Sequence, residues 1–209
     1  MRVDIAVFDG ADDLDVVGPY SVLGLAGRAG LDVTVRLTSV DGPRTVTTGG
    51  GLPLPTGAWA PQDTDVVIVA GGGFAKSGSA GVGAELASGR LPAALAEAAR
   101  PGLVLASVCT GGLLLAAAGL LAGRACTTHH RAVDDLVAMG GRHVDARVVD
   151  DGDVVTSGGI TSGLDLALWL VERYQGGEAA ELLERLLEYE RRAPVWRSTG
   201  DPAVTVGER

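Results

Sequence analysis

Residues 65–70 read Asp-Val-Val-Ile-Val-Ala and run straight into Gly71-Gly72-Gly73. A continuous apolar run of this length, closed by glycines, marks a central strand buried on both faces. Strands of that kind belong to parallel sheets that carry helices on either side. The rest of the chain repeats the theme. Val3 to Phe8 reads as a first strand and Leu31 to Leu37, alternating apolar and polar, as a second. Val46 to Leu54, with Gly49-Gly50-Gly51 inside it, reads as a hairpin or extended arm, and Leu103 to Val108 as a further strand. Helical stretches lie between them. One follows Pro19, which suits the first turn of a helix. Another spans 82–100 with a break at Gly89 to Pro92, and a third follows residue 112. Strands alternating with helices give a mostly parallel sheet covered on both sides, and ligands in such sheets bind beyond the carboxyl ends of the strands.

Cys109 stands at one of those ends. Leu103-Val104-Leu105 leads into Ala106-Ser107-Val108-Cys109-Thr110-Gly111-Gly112, and a leucine- and alanine-rich stretch follows. The pattern is strand, sharp turn, helix, with a nucleophile raised clear of the sheet. The helix amides beyond it favour negative charge, so the thiol pKa is expected to fall. The loop Gly71-Gly72-Gly73 lies at another strand end and offers backbone N–H groups to an anion or oxyanion. It is neither a dinucleotide fingerprint nor a phosphate loop, lacking the spacing of the first and the Gly-Lys-Ser/Thr of the second. The first loop is crowded with Asp9, Asp12, Asp13 and Asp15. Acids before a helix usually cap it from water. Asp15 differs because it lies between Leu14 and Val16-Val17, where loss of water raises a carboxyl pKa.

Beyond the elbow come Cys126-Thr127-Thr128-His129-His130, a helix to about Met139, and short strands at 144–149 and 154–156 around an Asp150-Asp151-Gly152 hairpin turn. A second glycine loop, Ser157-Gly158-Gly159-Ile160-Thr161-Ser162-Gly163, precedes two further helices. Residues 1–190 read as one domain, and 191–209 as an irregular tail. Cys126 and His129 lack the second ligand pair of a metal site, so no metal is expected, and Cys126 reads as structural.

Other classes are disfavoured by composition. The net charge is −9, which argues against nucleic acid or an anionic membrane as partner. Two cysteines make no disulfide framework and point to a reducing compartment, the cytoplasm. No leader pattern opens the chain and no apolar run is long enough to span a bilayer.

These motifs resemble the ThiJ/PfpI branch of the class I glutamine amidotransferase-like superfamily, and within it the isonitrile-hydrating members. The resemblance rests on Leu14-Asp15-Val16-Val17-Gly18-Pro19, Ala70-Gly71-Gly72 and Ser107-Val108-Cys109-Thr110-Gly111. It continues in Val144-Asp145-Ala146-Arg147-Val148-Val149, Gly158 to Asp165, and Leu187-Glu188-Tyr189. It implies a flavodoxin-like fold, a homodimer, no cofactor and a small-molecule substrate. The implied catalytic residues are Cys109 as nucleophile, Asp15 as general acid/base and the neighbouring Thr110. Gly72 and Gly73 are expected at an oxyanion, and His129 beside the thiol. Members with a histidine directly after the cysteine work as Cys-His hydrolases, and Thr110 speaks against that here. Regulators that join this domain to a helix-turn-helix region need further chain and are not expected. The isonitrile-hydrating members carry Trp after Thr-His where this chain has His130, which alters the pocket wall. The expected chemistry is attack of the Cys109 thiolate on the isonitrile carbon with proton delivery from Asp15, then release of a formamide by water. The alternatives are a glyoxalase-like reaction on a small carbonyl compound, and a redox or ligand sensor using Cys109.

Overall fold

The computed structural model describes residues 1–74 and 80–198. In chain order its elements are β1 (Arg2–Ala6), α1 (Asp13–Arg28), β2 (Thr34–Ser39), β3 (Arg44–Thr47), β4 (Pro53–Ala58), β5 (Val66–Val69), α2 (Val82–Ser88) and α3 (Arg90–Ala98). They continue with β6 (Val104–Ser107), α4 (Gly111–Ala117), β7 (Ala125–Cys126), α5 (Val133–Ala138), β8 (Arg142–His143), β9 (Val148–Asp150), β10 (Val154–Ser157), α6 (Ser162–Gln175), α7 (Gly177–Leu187) and β11 (Trp196–Arg197).

Nine strands form one sheet in the order β11-β9-β10-β6-β5-β1-β2-β4-β3. The run from β10 to β4 is parallel throughout. Antiparallel pairs close it at both sides, β9 against β10 and β3 against β4. Every residue of β5 and β6 is buried, as their apolar sequences require. The connection from β1 to β2 leaves in one direction along the sheet and that from β5 to β6 in the other. Right-handed crossovers therefore send their helices to opposite faces. Accordingly α1, α6 and α7 pack as one group and α2, α3, α4 and α5 as another, giving a flavodoxin-like sandwich. The reversal of direction opens a crevice above β1 and β5, the place where such sheets hold ligands.

Several local expectations are corrected. Pro19 is not in the first turn. Asp12 caps α1 by accepting from the Leu14 and Asp15 amides at 3.0 and 3.3 Å, which starts the helix six residues before the proline. Pro19 instead packs on the start of α6, where a Cβ added to Gly163 would stand 3.3 Å from its ring. The tail is not wholly irregular, because Trp196–Arg197 pairs with β9 and extends the sheet; residues 199–209 lie outside the described ones. The arm at 46–54 is a hairpin whose second strand runs on to Ala58 and pairs with β2. Gly89, at φ +69, separates α2 from α3 at the expected break.

Candidate active site

Cys109 lies between the end of β6 and the start of α4 with φ +56. A non-glycine residue in this region is uncommon and is held only where its surroundings dictate it. Three hydrogen bonds supply that constraint. The Cys109 N–H lies 3.1 Å from the carbonyls of both Ser157 and Gly158, at the end of β10, and the Thr128 hydroxyl donates to the Cys109 carbonyl at 2.8 Å. Glycines make the room. A Cβ on Gly111 would stand 2.3 Å from the Val69 carbonyl oxygen, so only glycine lets α4 start this close to β5.

Asp15, in the first turn of α1, is fully buried and faces the thiol. Its Oδ2 accepts the Gly71 N–H at 3.1 Å, while its Oδ1 has no hydrogen-bond partner among the described residues. Burial, with the nearby Asp12 carboxylate adding to it, pushes the Asp15 pKa up to about 7; the Gly71 N–H and the thiol pull the other way. The expected rise is thus present, although Leu14 is exposed and does not cause it. What shields the carboxyl is the Gly71 loop and the elbow. A Cβ on Gly71 would lie within 2.8 Å of Asp15 Oδ2, Thr110 N and Thr110 Oγ1.

The thiol runs against expectation. Burial and the facing Asp15 push Cys109 up to about 12, and the Thr110 N–H aimed at the sulfur only moderates this. A short helix N-terminus cannot outweigh loss of water and a neighbouring carboxylate. At neutral pH the pair therefore rests as thiol and partly ionised carboxyl, not as thiolate and acid.

The remaining expected residues divide. Thr110 follows the nucleophile, and its hydroxyl oxygen accepts the Gly72 N–H at 3.0 Å. That bond commits the N–H expected to serve an oxyanion, so Gly72 does not offer it. Gly73 is exposed, and a Cβ there would stand 2.5 Å from the Ala80 carbonyl oxygen and 2.7 Å from Gly81 Cα. The donor that does face the sulfur is the Thr110 backbone N–H. His129 is half-buried close to the thiol: a Cβ on Gly159 would stand 2.2 Å from His129 Cδ2 and 3.2 Å from Cys109 Sγ. His129 Nδ1 accepts the Arg131 N–H at 3.2 Å. Burial, then His130 and Arg131, lower its pKa, so the ring is neutral with its proton on Nε2. Cys126 is buried in β7, and burial raises its pKa to about 11. Among the described residues no group of three or more His, Cys, Asp or Glu side chains is placed to hold a metal ion.

Sequence reasoning missed Thr128, Gly159 and the carbonyls of Ser157 and Gly158. The second glycine loop was the available signal for the last three, since glycines after a parallel strand permit close approach. It also missed Asp12 as the charge beside Asp15. Elsewhere, a cavity of about 710 Å³ lies at the opposite end of the sheet, lined by Trp169, Arg173 and Asp150 among others. Several of its charges are paired, and Arg197 lies over the Trp169 ring. Arg173 pairs with Asp150 at 3.1 Å, and Arg124 with Asp151 and Asp153. Asp15 Oδ1, the buried carboxyl oxygen without a partner among the described residues, is at the Cys109 end.

A flavodoxin-like sheet with its thiol on a strained elbow places the molecule among the nucleophile-elbow α/β proteins. Residues 1–173 match the DJ-1/PfpI family, and the chain belongs to that family. It is 36% identical over 211 residues to an isonitrile hydratase of Pseudomonas putida, an alignment covering all of this chain and 88% of that protein. The crystal structure of a ThiJ/PfpI family protein from Pseudomonas syringae superposes with a TM-score of 0.79 at 30% identity, over 92% of this chain and 76% of that one. An AraC family transcriptional regulator from Pseudomonas putida gives a TM-score of 0.76 at 23% identity over 89% of this chain and 98% of that one, which shows the shared fold. Among the described residues no helix is long and apolar enough to cross a membrane.

Proposed function

We propose that this protein is a cofactor-free hydro-lyase that adds water to an isonitrile to give an N-substituted formamide. The observation that carries the reading is a buried carboxyl that has, among the described residues, no cation beside it and one oxygen without a partner, facing a buried thiol. A terminal isonitrile carbon takes a nucleophile and a proton at the same atom, and this pair holds both. Asp15 carboxylate removes the thiol proton as Cys109 Sγ bonds to the carbon, then delivers that proton to the same carbon, leaving a thioimidate. The Thr110 N–H steadies the charge on sulfur as it moves. Water then adds to the thioimidate carbon while Asp15 takes its proton. Nitrogen gains one proton, sulfur leaves and regains the other from Asp15, and the formamide departs. Asp15 is base first and acid second, the reverse of the order that a resting thiolate would require.

The raised thiol pKa weighs against an oxidation sensor, because oxidants attack the thiolate. Two free cysteines fit a cytoplasmic enzyme. Self-association is part of the proposal. On α1, Val16 and Leu23 are fully covered by the fold and Val17 and Leu25 are half-buried; Leu14, Tyr20 and Ile160 stand 38, 42 and 39% exposed. A homodimer that covers them would show twice the chain mass by light scattering, and a monomer at micromolar concentration removes this part of the reading.

The deciding experiment incubates the protein with alkyl and aryl isonitriles and, separately, methylglyoxal, with mass spectrometry of the products. Formamide formed by the parent and lost in Cys109→Ala, but kept in Cys126→Ala, is the expected result. Conversion of the oxoaldehyde alone would replace hydration with the glyoxalase-like reaction.

A further inference from the structure

Three short stretches of sequence hold no reacting group: Ala146-Arg147-Val148, Leu164-Asp165 and Leu187-Glu188-Tyr189. The fold brings them to one point behind the second glycine loop. The Asp165 carboxylate, 2% exposed, accepts Arg147 Nε at 3.1 Å and Tyr189 Oη at 2.9 Å on Oδ2, and the Arg192 amide at 3.2 Å on Oδ1. Arg147 Nη2 also reaches Asp165 Oδ2, so the guanidinium is gripped by two of its nitrogens.

Arg147 in turn holds both ends of the loop. Its carbonyl accepts the Gly158 N–H at 3.0 Å, and its Nη2 donates to Thr161 Oγ1 at 3.2 Å. Between these two anchors, Gly159 lies against the Cys109 sulfur, and the Gly158 carbonyl receives the Cys109 N–H. We propose that Arg147, locked by Asp165 and Tyr189, is a positioning residue that fixes the Cys109 sulfur through the loop 158–161. A planar guanidinium held on two sides cannot swing as a single point charge would, which suits it to a strap.

A second observation points the same way. Among the described residues only two that are not glycine have positive φ: Cys109 and Glu188. Glu188 ends α7 in the left-handed region and turns the chain so that Tyr189 returns to Asp165. The two unusual backbones stand at the two ends of one hydrogen-bonded chain, which adds to the local bonds that hold each of them.

The proposal concerns the sulfur and holds whatever substrate the sulfur attacks. The test uses Thr161→Val, Thr161→Ser and Tyr189→Phe in the full chain. Thr161 is exposed, so removing its hydroxyl takes away one loop anchor without opening the core. Two readouts are taken: the rate of iodoacetamide alkylation at the Cys109 peptide, and kcat and KM on an isonitrile. Thr161→Val is expected to alkylate several-fold faster and to lose about 10-fold in kcat with KM little changed, as a misplaced nucleophile does. Thr161→Ser restores both, and Tyr189→Phe shows the same pattern more weakly. Parent-like alkylation in both Thr161→Val and Tyr189→Phe, or no rescue by serine, overturns the strap. Alkylation is read without turnover, so absence of isonitrile hydration would overturn the proposed reaction and leave this test intact.

Discussion

Asp15 and Asp165 begin as near equals. Each follows a leucine and precedes an apolar residue, each sits in the first turn of a helix, each is at most 2% exposed, and the two helices pack against one another. Their surroundings then part. Asp165 receives a guanidinium, a phenol and a backbone amide. Asp15 receives one backbone amide, a thiol and a neighbouring acid. One carboxylate is therefore a fixed anchor and the other a movable store for a proton. The local motif is the same, and what reaches the carboxyl from distant segments decides which it becomes.

The sharpest way to break this comparison is Asp15→Asn. Asparagine keeps the shape but cannot carry the proton, so turnover of an isonitrile should fall by roughly 10³-fold, within the range for loss of a general acid/base. An active Asp15→Asn protein would leave Asp15 as structural as Asp165. The pH profile sharpens the point. Below about 7 the pair holds two protons and has no base, so kcat/KM should climb as pH rises through about 7 and stay high well into the alkaline range. A profile that falls across that interval would contradict the thiol–carboxylate resting state.

Stability should move the opposite way. The Asp15 pKa is raised on folding, so its contribution is fully present below the unfolded value near 4 and is lost as pH rises through about 7. Between pH 5 and pH 8 the parent should lose on the order of 2–3 kcal/mol relative to Asp15→Asn, read from urea unfolding. Asp165→Asn should instead cost about 3 kcal/mol at neutral pH, because it strips Arg147 of its partner. A stable Asp165→Asn protein would erase the distinction from the other side. The smallest effect belongs to Asp13→Asn. Asp13 accepts Thr48 Oγ1 at 2.7 Å and the Gly50 amide at 2.8 Å, so it ties the β3–β4 loop and does not simply point to water. Asparagine keeps an acceptor there, and turnover should stay within about 2-fold of the parent, with roughly 0.5 kcal/mol lost in stability.

The comparison also marks what a one-dimensional reading can reach. The buried runs of β5 and β6 announce a parallel sheet, and a parallel sheet puts residue 15, residues 71–73 and residue 109 at one rim. Those follow from pattern alone. The ionisation of Cys109 does not, because it depends on how much water and which charge reach the sulfur. Nor does the fate of the Gly72 N–H, which Thr110 takes from 38 residues away. Arg147, Asp165 and Tyr189 are each visible as motif fragments, but their meeting point is a property of the packed chain.

The pairing of β6 with β10 sets Leu105 beside Val154, residues far apart in sequence. Cys109 owes its two amide acceptors to that pairing, and its facing acid to the first turn of α1. Contacts of such long range carry a large loop-closure cost before they give any return, and chains rich in them fold slowly. In the unfolded chain Cys109 is an ordinary exposed thiol, whereas in the folded sheet it is 6% exposed. The moment at which it stops reacting with a labelling agent during refolding is then the moment at which the sheet closes, so the residue that does the chemistry also keeps the time of its own assembly.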